Sequence, residues 1–512
     1  MYGSMIIVLA RIFSGATVGL ETLTVEVEVD VSKRGLPSFT IVGLPDQAIK
    51  ESKQRVWAAL KNISAKIPPR RITINLAPAD LPKEGPAYDL PIAVGILAAS
   101  EKINLDAANA LFFGELSLDG SLRHTPGALP MALLAKQHGF KYLYLPQANA
   151  REAAVVRAIK VLPLKNIKDL LLHFLDNSGR QIVPEPPLDF SALLSQPVSE
   201  FDLCEIRGQE HAKEAAIIAA AGGHNLYLQG PPGAGKTMLA RAMPSILPDL
   251  TEQEALEVTK IYSICGLIPA GESIIKVRPF RAPHHTTSRI GLIGGGTKPR
   301  PGEISLAHRG VLFLDEFPEF PRHVLESIRQ PLEDGIVTVS RAMGTWTYPA
   351  NFLLVAAANP CPCGYHGTQI KPCRCLPGEI ERYRKRVSGP ILDRIDLHVT
   401  VQAVNPAELV GLPTGDPSSL VRQKVQLARD RQLNRFAATQ LVCNADMGTR
   451  EVKKFSPLKP EVENKLLQLT NYYRLSARTH FKCIKVARTI ADLAGADNIT
   501  VSHIGNAVQF RT

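Results

Sequence analysis

Residues 230–237 read GPPGAGKT and meet G-x-x-x-x-G-K-[ST] at every fixed position. NLYLQ at 225–229 precedes them and reads as a short buried strand, while MLARAM at 238–243 reads as the start of a helix. Strand, glycine turn and helix in that order form a phosphate cradle. Gly230, Gly233 and Gly235 let backbone N–H groups converge on phosphate oxygens, and the helix start adds partial positive charge. Gly230, Pro231, Pro232, Gly233, Ala234, Gly235, Lys236, Thr237 and Met238 therefore line an expected ATP site. Lys236 neutralises the β- and γ-phosphates there, and Thr237 holds Mg2+.

A second signal lies at 311–316, VLFLDE: four apolar residues of a buried strand, then two carboxylates. Asp315 is placed to hold Mg2+ through water, and Glu316 to orient and deprotonate the water that attacks the γ-phosphate. A third apolar strand, residues 352–358, ends at Asn359, which is placed to hold the same water.

At 512 residues the chain accommodates roughly two to four domains. Hydrophobic residues make up 45% and no run of eighteen apolar residues occurs, so a membrane span is not expected. MYGSMIIVLARIF at the start lacks a basic region and a small-residue cleavage site, which argues against a secretory signal and for the cytoplasm. Gly3-Ser4 ahead of Met5 reads as a non-native leader within residues 1–4. A net charge of +11 makes a polyanion such as nucleic acid a natural partner, with a merely basic enzyme as the alternative.

Residues 1–175 read as mixed α/β. Val25, Val27, Val29 and Val31 alternate with polar residues as on a half-buried strand, residues 46–61 suit a helix capped by Asp46, and residues 70–76 alternate again. Residues 81–100 form a Gly-Pro turn feeding an apolar helix. KEGPA at 83–87 and GELSLDGSLR at 114–123 resemble the proteolytic domain of Lon-type proteases. The resemblance implies a serine at the turn and a lysine on the later helix; this chain has Ala87 and, at about the second place, Leu129. Without a hydroxyl nucleophile and base, covalent peptide hydrolysis is not expected, and the domain reads as a scaffold for assembly or partner binding.

Residues 176–203, rich in Pro and Ser, read as a linker, and residues 204–404 as the ATPase core. Within it, residues 278–310 carry Arg278, Arg281, Arg289, Lys298, Arg300 and Arg309 among many glycines and prolines, and read as a projecting insertion. His284 and His285 read as a turn or surface pair, since no third ligand is spaced for a metal. After an expected helix at 323–333, residues 337–349 read as a hairpin with Arg341 near its tip, either a DNA contact or a solvated turn residue.

PFRAPHHT (279–286), GGGTKPRPGEISLAHRGVLFLDEFPEF (294–320), AAANPCPCG (356–364), RYRKRVSGPILDRIDLH (382–398) and VARTIADLAG (486–495) resemble the YifB family of magnesium-chelatase-like AAA+ ATPases, over about residues 5–512. The resemblance implies a multidomain α/β chain: a Lon-protease-like N-terminal domain, a central AAA+ P-loop core and a C-terminal helical lid at 405–512. It implies a hexameric ring ATPase and, for the family's competence member, a DNA helicase driving branch migration in natural transformation. By the same resemblance Asn359 is the sensor of the γ-phosphate, Arg394 the arginine finger reaching a neighbouring subunit, and Arg488 a second sensor in the lid. For Arg394 an ion pair with Asp393 or Asp396 is the alternative, and Arg488 likewise has a purely structural alternative.

Lys298, Arg300 and Arg341 are the expected DNA contacts, on single-stranded, forked or branched DNA. A protein-remodelling motor is the competing function, and an ATP-dependent protease a third. Of eight cysteines, Cys361, Cys363, Cys373 and Cys375 form C-x-C-x9-C-x-C. They offer a tetrahedral zinc site with His366 as a substitute ligand, the alternative being a reduced, metal-free loop.

Overall fold

The computed structural model describes residues 9–32, 36–65, 67, 70–100, 102–103, 107–175, 181–190, 201–269, 272–296, 299–341, 344–368, 371–403 and 415–511. Residues 1–4, expected to be a non-native leader, and Lys298 lie outside the described residues. Two compact units emerge, Met1–Ser195 with Ala255–Ile275, and Gln196–Glu254 with Lys276–Thr512. Among the described residues no helix is long and apolar enough to cross a membrane.

The first unit is built on a seven-stranded mixed sheet in the order Ser38–Val42, Arg71–Ala77, Glu21–Ser32, Leu9–Val18, Ala110–Phe112, Tyr142–Pro146, Lys160–Leu164. The alternating valines set its register: Val27, Val29 and Val31 stand opposite Leu76, Ile74 and Ile72, and all six are buried. Cross-strand pairs of this kind are the stabilising unit of a sheet. Asp46 caps the helix Gln47–Asn62, accepting from Ile49 N at 2.9 Å. The helix Asp89–Ala99 is apolar on nearly every side and buried. It lies so close to the sheet that a Cβ on Gly95 would stand 2.5 Å from Val29 Cγ2.

One segment joins this unit out of chain order, and part of the expected linker is docked on it. Residues 255–275 pack within it, with Ser263 Oγ donating to Glu152 Oε1 at 2.5 Å. Of the expected linker, residues 181–190 are docked: Glu185 N donates to Val161 O at 2.9 Å along the sheet's edge strand, and Arg157 pairs with Asp189 at 3.1 Å. An edge strand's unpaired backbone groups offer an extended, proline-rich chain such partners.

The second unit holds a five-stranded parallel sheet in the order Phe280–Arg281, Val311–Leu314, Leu353–Ala358, Leu226–Gln229, Leu397–Thr400. Val311–Leu314 and Leu353–Ala358 are buried on both faces, as a parallel sheet covered by helices requires. Helices Ser418–Arg435, Pro460–Tyr472, Ala477–Leu493 and Val501–Gln509 contribute to the same hydrophobic core as the glycine-loop helix Lys236–Ile246.

The 278–310 segment is corrected by this topology. Its residues Phe280–Arg281 are a strand of the central sheet, so the chain leaves the core only after Arg281. Arg278 donates to Pro248 O, Arg309 O and Glu254, and Arg281 forms a two-pronged pair with Glu303 at 2.6 and 2.7 Å. Neither is a projecting cation, because a charge this close to the sheet must be matched internally. The hairpin is present as Ile336–Arg341 against Gly344–Pro349.

Candidate nucleotide site

Parallel strands deliver their C-terminal ends to one edge of a sheet, and ligands of open α/β sheets bind outside that edge. Leu226–Gln229 delivers the glycine loop, Val311–Leu314 delivers Asp315 and Glu316, and Leu353–Ala358, lying between them, delivers Asn359. The middle position of the last strand brings a polar amide between the loop and the carboxylates.

Gly230 is required sterically, since a Cβ there would lie 2.2 Å from Val401 O. Gly233 and Gly235 have φ of +77° and +87°, and a Cβ on either would meet nothing within 4 Å. Left-handed backbone beside open space, running into the N-terminus of Lys236–Ile246, is the form of an anion cradle. Lys236 is 8% exposed and donates to Gly230 O at 2.6 Å, Pro231 O at 2.8 Å and Asn359 Oδ1 at 3.2 Å. Burial lowers its pKa, and the nearby Asp315 carboxylate works the other way. Thr237 Oγ1 donates to Asp315 Oδ2 at 2.9 Å, so the hydroxyl and carboxylate expected around Mg2+ already face each other. This hard oxygen pair beside an open glycine cradle fits a magnesium-bound triphosphate.

Glu316 adopts the left-handed φ of +50°, uncommon for a side chain of its size. Its Oε2 lies 3.1 Å from His285 Nδ1, while His284 Nδ1 lies 2.8 Å from Thr286 Oγ1. The histidine pair therefore divides its work: His284 supports the turn, and His285 faces the candidate base. The reading of both as a turn or surface pair holds, and His285 adds a contact with a residue thirty-one positions away in sequence.

Arg394 is paired within the chain, and its partner is Glu333 at 2.5 Å, which Arg478 also reaches at 2.6 Å. Asp396, one of the two expected partners, is instead held by Lys482 at 2.8 Å, by His224 at 3.6 Å and by Asn225 N. Burial disfavours its charge, but Lys482 and His224 outweigh that and hold its pKa below the carboxylate range. Arg488 is 3% exposed, and its three nitrogens are engaged by Asp492, Asp497 O and Ala496 O. The position expected for a second sensor is thus fully paired within its helical layer in this structure, as burial of a guanidinium demands.

Arg300 is exposed on a two-stranded ribbon, Gly294–Gly295 with Arg300–Pro301. Tyr348 of the hairpin donates to Pro299 O at 3.0 Å, so ribbon and hairpin abut. Arg341 closes the hairpin's first strand, opposite Gly344. The sulfur atoms of Cys361, Cys363, Cys373 and Cys375 lie within 4.8 Å of one another. Among the described residues no histidine joins that group; His366 contributes its backbone N–H to Cys361 Sγ at 3.3 Å.

In the first unit, Ala87 O accepts from Gly114 N at 2.9 Å and Leu129 is fully buried, so both sites expected for a dyad carry packing side chains. Leu129 N donates to the buried Glu152, which satisfies the start of helix Ala128–Gln137.

Comparison with known proteins agrees with these elements. The family described as magnesium chelatase, subunit ChlI, matches residues 202–409; the models described as subunit ChlI of Mg-chelatase and as magnesium chelatase, subunit ChlI C-terminal, match residues 27–149 and 415–511. Competence protein ComM of Haemophilus influenzae is 43% identical over 511 residues, covering 98% of this chain and 97% of that protein. YifB of Escherichia coli is 42% identical over 508 residues, with 98% and 97% covered. Lon protease 2 of Bacillus subtilis is 30% identical over 138 residues, 26% of this chain and 24% of that protein. With near-complete coverage by relatives above 40% identity and a nucleotide cradle in the matching segment, the chain belongs to the YifB/ComM family of magnesium-chelatase-like AAA+ ATPases.

Proposed function

We propose that this protein is an ATP-driven DNA motor that works as a closed homo-oligomeric ring, a hexamer by family resemblance, in branch migration or unwinding during recombination and natural transformation. The observation that carries the ATPase half is the convergence of Lys236, Thr237, Asp315 and Asn359, joined by two hydrogen bonds, with Glu316 next in chain. Mg2+, when bound, would neutralise phosphate charge, and Thr237 with Asp315 would hold it. Lys236 and the loop N–H groups bind phosphate, Asn359 orients the water, and Glu316 removes its proton. Arg394 serves the neighbouring subunit's nucleotide, exchanging Glu333 for phosphate, which makes the ring necessary for turnover.

DNA is favoured by the abutting ribbon and hairpin, which bring the Arg300 and Arg341 positions onto neighbouring projections; Lys298, outside the described residues, is proposed as a third contact. Cations at phosphates make binding fall as salt rises. In this reading residues 1–175 form a Lon-like scaffold without proteolytic chemistry, residues 405–512 act as the lid, and the protein works in the cytoplasm. The second reading, a protein-remodelling motor, is favoured by the internal pairing of Arg278 and Arg281, which leaves fewer cations for DNA.

Steady-state ATPase activity with and without single-stranded and forked DNA separates the two, with Glu316→Gln as control. Stimulation by DNA that the variant loses, followed by strand displacement, supports the motor. Basal hydrolysis indifferent to DNA at low salt overturns it in favour of a protein substrate.

A further inference from the structure

Between the strand ending at Ala358 and the helix Pro377–Arg384, the described chain has no strand or helix of its own. Cys361 is fully buried in this stretch, while Cys363, Cys373 and Cys375 are half-buried. Even so, four sulfur atoms from its two ends converge. Cys361 and Cys363 are 3.4 Å apart, Cys361 and Cys373 3.7 Å, and Cys363 and Cys373 3.6 Å. A disulfide requires a separation of about 2.05 Å, so these are not bonded pairs. A tetrahedral zinc with bonds of about 2.3 Å has sulfur–sulfur edges of about 3.8 Å. The observed edges lie near that value.

The backbone around the sulfurs is arranged for thiolates. Cys363 N donates to Cys375 Sγ at 3.4 Å, and His366 N to Cys361 Sγ at 3.3 Å. Amides that donate to ligand atoms orient them and stabilise their charge. Neutral thiols are weak partners and supply little to hold such a cluster together.

The loop also touches the nucleotide site. A Cβ on Gly364 would stand 2.6 Å from Pro232 Cδ, so the loop backbone lies directly on the glycine loop. Cys361 comes two residues after Asn359, and Asn359 accepts from Lys236. Whatever fixes the cysteines therefore fixes the backs of both the phosphate loop and the water-orienting amide.

We propose that Cys361, Cys363, Cys373 and Cys375 form a closed structural zinc site that braces Pro232 and Asn359 for nucleotide binding. Four protein ligands leave no open position, so the ion acts by rigidity and takes no part in hydrolysis. The bracing half rests on the nucleotide reading; the metal half does not, because zinc content is measured without nucleotide.

The test uses the full chain purified without chelator or added metal. Elemental analysis should find about one zinc per chain. Cys373→Ser/Cys375→Ser should lose it, Cys375→His should keep it, and Cys204→Ser, outside the cluster, should not change it. Reduced zinc-free protein titrated with Co2+ should show a tetrahedral thiolate spectrum. Wild-type protein with below roughly a tenth of a zinc per chain and no cobalt spectrum overturns the site. A fluorescent ATP analogue should bind the double variant about tenfold more weakly, with circular dichroism retaining its helices. Zinc lost with unchanged nucleotide affinity overturns the brace and leaves the ATP site intact. If the double variant fails to fold, removal of zinc from wild type with a mercurial and a chelator gives the same readout.

Discussion

Charged groups cluster in two regions of the second unit, and they are treated in opposite ways. At the strand ends, Lys236 leans on two carbonyl oxygens beside open glycine backbone, Thr237 and Asp315 face each other, and Glu316 is half exposed. In the helical layer Arg488, Asp492 and Arg435 lock together around Asn444, and Asp396 is held by Lys482. The first set retains acceptors and donors for a ligand. The second satisfies itself, as buried ions must if the fold is to tolerate them. Charge alone does not mark machinery; charge beside space does.

The largest effect should come from the first set. Lys236→Ala removes the cation of the phosphate cradle and its bond to Asn359, and should lower ATP turnover about a thousandfold. Its melting temperature should change little. Turnover within a few fold of wild type would mean that the cradle is not the hydrolytic site.

Arg488→Ala tests the second set. Loss of one member of a buried pair costs about 3–5 kcal/mol, read as a fall in the denaturation midpoint. ATP turnover per folded molecule should hold. Lost turnover with unchanged stability would restore Arg488 as a sensor and break the contrast between the two regions.

The motifs made the first region legible. GPPGAGKT, VLFLDE and Asn359 each sit at the end of an apolar strand, so local pattern placed the chemistry, and the parallel sheet brought the three together. The partners of Arg394, Arg278 and His285 were not legible, because they are 61, 24 and 31 residues distant and are selected by burial and packing. Arg394 carried a good signal for importance, in GPILDRIDLH, and none for Glu333. Counting cations across 278–310 overstated the free charge, since composition cannot separate an arginine caged beside the sheet from one on a ribbon. The same limit applies to residues 181–190, whose prolines signal extended chain but not the edge strand that receives it.

A pH series probes the second region more gently. Burial, aided by the Arg511 cation, lowers His398 to about 4. Arg511 Nη1 lies 2.7 Å from His398 Nε2, a bond that needs a neutral ring. Between the unfolded value of about 6.5 and about 4, the unfolded chain binds the extra proton, so stability rises with pH there. The contribution is complete above about pH 6.5 and lost progressively as pH falls to about 4, amounting to roughly 3 kcal/mol. His398→Gln should flatten that part of the stability profile. An unchanged slope would assign it to other groups.

The smallest expected effect lies where the two treatments of charge meet. His285 Nδ1 and Glu316 Oε2 lie 3.1 Å apart, yet their side chains are 31% and 52% exposed, so the contact contributes at most about 1 kcal/mol. That is enough to bias where the carboxylate rests and too little to lock it. A carboxylate held at Oε2 by His285 keeps Oε1 for water but has less freedom to aim it, so the contact restrains hydrolysis. His285→Ala should therefore raise basal ATP turnover without DNA by about two- to fivefold, with the stability of the chain unchanged. A fall of similar size would mean that His285 aims Glu316 at the water, placing this pair among the positioning contacts. Unchanged turnover would show that the half-exposed contact neither restrains nor aims Glu316, as slight as surface contacts usually are.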